Sequence, residues 1–209
     1  MRQYASAGKI LSILLAHAAV STAFGTTTIS TLPPDKFSAV GGRSDFGQEF
    51  TVPSDGDNYF ADFTFNLGGA GAVVEFQSQI YQINPSTFQL LGAPLYTSAP
   101  TFAPRLQPPT AISFDPPTPI ALTADATYIF TFQQGVFANP NGNLQWNAGG
   151  TLSNVGLFLQ ANPTVSGYYM PISIFPAPVS FTATFVPEPA IGFSALLVCS
   201  MFCRRPRRN

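Results

Sequence analysis

YFADFTFNL, residues 59–67, decides the fold class. Tyr59, Ala61, Phe63, Phe65 and Leu67 are apolar, and Asp62, Thr64 and Asn66 fall between them. A period of two sends alternate side chains to opposite faces of an extended chain, so the stretch reads as a strand with one face on a core. Working outward, residues 179–185 repeat the pattern. There Val179, Phe181, Ala183 and Phe185 alternate with Ser180, Thr182 and Thr184. In residues 128–132, Tyr128, Phe130 and Phe132 alternate with Ile129 and Thr131. Val74, Phe76 and Ile80 make a fourth set, whose phase Tyr81 and Ile83 shift. That shift predicts a β-bulge near Ile80. Shorter strands are expected over residues 48–52, 112–114 and 155–160.

Turn chemistry separates these segments: Ser54-Asp55-Gly56-Asp57-Asn58, Gly68-Gly69-Ala70-Gly71, Asn84-Pro85-Ser86, Asn139-Pro140-Asn141-Gly142 and Ala148-Gly149-Gly150. No helical stripe of useful length lies between residues 26 and 185. The expected fold is all-β, an antiparallel β-sandwich in a jelly-roll arrangement of about seven to ten strands. Residues 93–119 are dense in proline, which cannot donate to a central ladder, so they read as a crossing or edge segment.

Composition agrees. The 209 residues are 13% aromatic and only 9% charged, which suits a packed body rather than a disordered chain. Charge is unevenly placed. Arg2 and Lys9 stand at the start and Arg204, Arg205, Arg207 and Arg208 at the end, whereas Lys36, Arg43 and Arg105 are the basic residues between them. All ten acidic residues lie in that middle stretch. It has no basic stripe for phosphates, so nucleic acid is not an expected partner.

Residues 1–25 show a positive start, an apolar run from Ile10 to Val20, and small residues at Ser21, Ala23 and Gly25. This is the three-part layout of a secretory signal peptide, expected to form a short helix. At the other end, Val186-Pro187-Glu188-Pro189 precedes an apolar run over residues 190–203 and then the arginines. The run is shorter than the ~20 residues of a comfortable span. Basic residues behind it would be held on the cytoplasmic side, as would the basic start. The acidic middle would then be the translocated part. Cys199 and Cys203 lie one helical turn apart within the run and read as small hydrophobes.

The order of motif, apolar segment and arginine cluster resembles a PEP-CTERM sorting signal. The resemblance covers residues 186–209. It implies an exported protein of a Gram-negative-type bacterium, processed by an exosortase, a membrane-embedded transpeptidase-like enzyme. Carried over, Pro187, Glu188 and Pro189, preceded by Val186, are the sorting motif. Residues 190–203 are a transient transmembrane anchor. Arg204, Arg205, Arg207 and Arg208 are the stop-transfer cluster, which Pro206 interrupts. The resemblance also implies association with an exopolysaccharide or biofilm-forming envelope. Part of the body, from Phe46-Gly47-Gln48-Glu49-Phe50 through residues 60–67, Ile80-Tyr81 and residues 92–98 to residues 120–128, loosely resembles the β-sandwich domains found ahead of such tails.

The division expected is a signal peptide at 1–25, a β-sandwich at 26–185 and a sorting tail at 186–209. His17, Cys199 and Cys203 all lie in the terminal apolar runs. The body therefore has no imidazole or thiol for triad catalysis, for zinc or for disulfides. Asp45, Glu49, Asp62, Glu75, Asp115 and Asp125 are available to a glycosidase, but nothing in the sequence pairs any two of them. Asp55-Gly56-Asp57-Asn58 reads as a polar turn rather than a calcium loop. Trp146, the single tryptophan, and Tyr168 and Tyr169 are the candidate glycan contacts, with core packing as the alternative for Trp146. The expectation is a non-enzymatic, cofactor-free and metal-free exported protein at the cell surface or in the extracellular matrix. A carbohydrate-binding module is the alternative, and a secreted glycosidase a weaker one.

Overall fold

The computed structural model describes residues 26–31, 36–38, 45–54, 57–105, 109–137, 142–148, 155–171 and 179–188. The expected signal helix, the apolar tail, Pro189 and the terminal arginines lie outside them. Fourteen strands form among the described residues: β1 (Thr27–Ser30), β2 (Lys36–Ser38), β3 (Phe46–Thr51), β4 (Tyr59–Ala70), β5 (Val74–Ile83), β6 (Leu90–Thr97), β7 (Thr101–Ala103), β8 (Thr110–Phe114), β9 (Ile120–Ala121), β10 (Thr127–Gln133), β11 (Asn143–Ala148), β12 (Val155–Ala161), β13 (Tyr169–Pro171) and β14 (Phe181–Val186). That exceeds the expected count, because the extra strands are mostly two to four residues long, too short to show a period.

Two antiparallel sheets result. The first runs β1-β14-β4-β11-β2, with β8 and β9 also on β4. The second runs β13-β12-β3-β10-β5-β6, with β7 also on β5. The proline-dense segment supplies β7 and β8, which pair on one side only, as expected of an edge.

The sheets meet on phenylalanine. Phe130 of β10 is fully buried and lies against five other rings. Phe50, in its own sheet, stacks at 4.2 Å, and Phe63, from the facing sheet, stacks at 4.5 Å. Phe60, Phe65 and Phe181 complete the set from the first sheet. Such ring pairs contribute about 0.5–1.5 kcal/mol each beyond the area they bury.

The phase of β4 departs from the simple alternation. Phe60, not Ala61, is buried, and Tyr59 and Ala61 are half-buried. The reason is a register shift against β14. Thr184 pairs with Asp62, but Phe185 pairs with Phe60, so Ala61 is an extra residue that turns Phe60 inward. The irregularity expected near Ile80 falls there, between Ile80 and Gln82, but in the pairing with β6. β5 pairs with β10 without a break from Gln77 to Gln82. The irregularity belongs to β6, where Tyr96 faces Ile80 and Leu91 faces Gln82, which leaves Gly92 to Leu95 outside the pairing. Tyr81 and Ile83 are out of phase because they serve the other face of the sheet.

One polar group is deliberately placed in the core. Gln48 of β3 is 0% exposed. Its amide nitrogen donates to Glu49 O at 2.9 Å and Gly156 O at 3.1 Å, and its amide oxygen accepts from Val179 N at 2.8 Å. Thr31 Oγ1 donates to Val179 O at 2.8 Å and accepts from Phe181 N. The start of β14 is thus satisfied from both sheets, as buried backbone groups must be.

Phe130→Ala removes the ring that touches both sheets. It is expected to cost about 3–5 kcal/mol in unfolding free energy, measured by urea denaturation. A loss below about 1 kcal/mol would contradict this packing.

Candidate functional site

Two places in the described chain differ from plain packing. The first is the exit from β14. Val186 pairs with Tyr59, and Phe185 pairs with Thr27 on the other side. Beyond it Pro187 is half-buried and Glu188 is exposed, both outside any strand. Proline has no N–H to extend the ladder, so the sheet ends where the motif begins. Val186 therefore belongs to the sheet as well as to the motif.

The second place is the outer face of the second sheet. Ile129, Leu159, Ile83 and Tyr169 are buried there, with Tyr81, Phe88, Leu90 and Ala161 packed around them. Two connections cover this face. Asn84 Oδ1 accepts from Ser86 N at 2.9 Å and Thr87 N at 3.1 Å, and Phe88 N donates to Asn84 O, so the chain turns tightly between β5 and β6. Phe88 sits at φ +56°, a left-handed conformation rare for a bulky residue. Its cost, about 1–3 kcal/mol, is offset by the ring's packing and by its carbonyl, which accepts from Tyr169 N at 2.8 Å. Gln89 pairs with Tyr168, and Leu90 N donates to Gly167 O. β6 and β13 are opposite edges of the sheet, and these bonds tie the start of one to the start of the other. Gly47 keeps the floor low, since a Cβ there would run into the Ile129 side chain.

Polar groups gather beside this second cluster. Tyr81 Oη donates to Gln79 Oε1 at 2.8 Å, and Gln79 Nε2 reaches Thr97 Oγ1. Tyr169 shares a side-chain hydrogen bond with Thr131. Burial chiefly, then the negative charge of Asp45, pushes the Tyr169 phenol far up, so it stays neutral at any working pH. Asp45 Oδ1 accepts from Gly135 N at 2.9 Å, and burial still raises its carboxyl above the usual range. Glu49 Oε2 accepts from Leu157 N at 3.0 Å, and burial raises it also. Its carboxylate fills the space over Gly156, where a Cβ would collide with it. Leu157 and Gly156 lie in the irregular stretch of β12 between Val155 and Phe158. Glu49 thus clasps a bulge, and Asp45 clasps the connection after β10.

Each of these two acids is held by a different backbone N–H, Asp45 by Gly135 and Glu49 by Leu157. Among the described residues no group of three His, Cys, Asp or Glu is placed to hold a metal. Asp57 instead accepts from Thr27 Oγ1 at 2.8 Å, and Asn58 Nδ2 donates to Leu122 O, which is the work of a turn.

Of the aromatic candidates, Trp146 lies in the core at 2% exposure, against Phe158 at 4.3 Å and Phe46 at 5.1 Å. Neither ring face is open to a sugar. Tyr169 is 6% exposed, under the covering connections. Tyr168 is half-buried beside the Gln89 bridge and keeps some surface. The structure brings Tyr168 and Tyr169 to one place and Trp146 to another, inside the core. The outer-face cluster itself escaped the sequence reading. Its signal was adjacent apolar pairs, Tyr128-Ile129 and Phe158-Leu159, which mark strands covered on both faces.

The raised carboxyls give a pH dependence. In the folded domain both hold protons more tightly than in an unfolded chain. Stability therefore rises as pH falls through the raised values toward the ordinary carboxylate range. Glu49→Gln keeps an acceptor for Leu157 N–H without the charge. It is expected to flatten that rise and to leave Tm at neutral pH unchanged or higher. Thermal unfolding of both proteins from neutral to mildly acidic pH measures it. A larger rise in the variant than in the wild type would contradict the assignment.

Comparison with family models, with curated proteins and with solved structures finds no match to the chain.

Proposed function

We propose that the chain is an exported, non-catalytic protein of the cell surface or extracellular matrix. In this reading its β-sandwich is jelly-roll-like, residues 1–25 direct its export, and an exosortase processes it at Val186-Pro187-Glu188-Pro189. The observation that carries the reading is the end of the β14 ladder at Val186, one residue before Pro187. Processing beyond that point leaves every described strand pairing intact. Two prolines around Glu188 favour an extended segment that a protease groove can take. Residues 190–203 act as the transient anchor, and Arg204, Arg205, Arg207 and Arg208 hold its far end on the cytoplasmic side. Association with exopolysaccharide is the envelope role that goes with this route.

Glycan binding is the lesser reading, since Trp146 and Tyr169 offer little or no surface. Among the described residues no helix is long and apolar enough to cross a membrane.

Intact mass spectrometry of the protein recovered from its producing cells tests the proposal. The expected mature chain lacks residues 1 to about 25 and ends near Pro189. A recovered chain that still ends at Asn209 would sink the exosortase reading.

A further inference from the structure

The two strands that connect to the terminal segments lie side by side. Thr27 at the start of β1 is the Cα partner of Phe185 near the end of β14. Both ends of the described sandwich therefore lie at one pole. This pole is also where the sheets exchange chain. β3 ends at Thr51 and β4 starts at Tyr59, and β9 ends at Ala121 and β10 starts at Thr127. The two connections are tied together: Val52 N donates to Ala126 O, Asp125 N to Val52 O, and Leu122 N to Asn58 O. Thr27 Oγ1 donates to Asp57, which fixes the β1 end to the same platform.

We infer that this pole is the face the precursor holds against the bilayer, an inference that rests on the export reading above. The reach of the chain carries it. Ala190, where the apolar run starts, is four Cα steps beyond Val186, so the pole can stand no more than about 14 Å from that run. Thr27 is seven Cα steps from Val20 of the leader, a reach of about 25 Å. The prolines at 187 and 189 stiffen the shorter tether. β4, twelve residues long, puts the opposite pole about 40 Å further away. The pole is apposed to the lipid, not inserted. Its connections carry Asp57 and Asp125 and no lysine or arginine, and Glu188 follows on the tail. Carboxylates avoid the apolar interior and are repelled by anionic headgroups. The opposite pole, with exposed Val73, Phe102 and Val136, is then directed away from the membrane.

The test uses the full chain with both apolar runs retained and with Cys199→Ser and Cys203→Ser. One dye-labelled cysteine is placed either at Thr123→Cys, beside Asp125, or at Val136→Cys, at the opposite pole. Energy transfer is read to an acceptor on the headgroups of phosphatidylethanolamine–phosphatidylglycerol vesicles. The expected result is transfer at least threefold more efficient from position 123 than from 136. Equal efficiencies with vesicle-bound protein would overturn the inference and leave the export reading standing. Failure of the chain to float with the vesicles would overturn both.

Discussion

The contact between the two sheets through Phe130 is what the rest of the structure depends on. Its ring stacks on Phe50 within one sheet and on Phe63 across to the other. The strands that carry these rings are β3, β4 and β10, and every remaining strand pairs directly or through a neighbour with them. A body poor in charge and rich in phenylalanine has few ways to exclude water except to stack rings between two sheets. Position in that stack then sets the register of the flanking strands. The bulge at Ala61 exists because both Phe60 and Phe63 face inward, which strict alternation forbids.

The second sheet has an apolar outer face as well, and an uncovered one would be an aggregation surface. The chain solves this with its own connections. Phe88 accepts a left-handed backbone so that its ring and its carbonyl both serve the cover. The bridge between Gln89 and Tyr168 also occupies backbone groups next to the two sheet edges, which would otherwise invite another strand. Asp45 and Glu49 hold the neighbouring irregularities in place, at the cost of carrying charge in partly dry surroundings. Burial raises both carboxyls, and the hydrogen bonds they accept offset part of that rise.

The central strands were legible because each is long enough to show its period: residues 59–67, 128–132 and 179–185 all carry the apolar alternation of a core strand. Which apolar residue of Tyr59-Phe60-Ala61 faces inward was not legible, since it depends on the register of β14, more than a hundred residues away. Strands such as β9 and β13 have too few residues to show a period, and pairing alone defines them. Trp146 looked like a loop-side ring because Asn and Gly surround it. Its burial is decided by Phe46 and Phe158, neither of them near it in a recognisable pattern. At the candidate site, the motif could be read directly, but not the fact that Val186 is also the last rung of a sheet. The outer-face cluster needs the pairing of Gln89 with Tyr168, a contact between opposite edges that no local pattern encodes.

Core and C-terminal segment meet at one strand. β14 lies between β1 and β4, so it is an inner strand, and its last rung is the final residue before the prolines. Phe181 and Phe185 place two rings in the core, and Val179 donates to Gln48 and accepts from Thr31. The domain should therefore be indifferent to everything after the motif and intolerant of losing the strand before it. Urea unfolding of residues 26–188 and of residues 26–180 tests this most directly. The account predicts a cooperative transition for the longer chain, with the stability of the chain that runs to Asn209, and none for the shorter. A 26–180 chain that unfolds cooperatively with the same midpoint would contradict it.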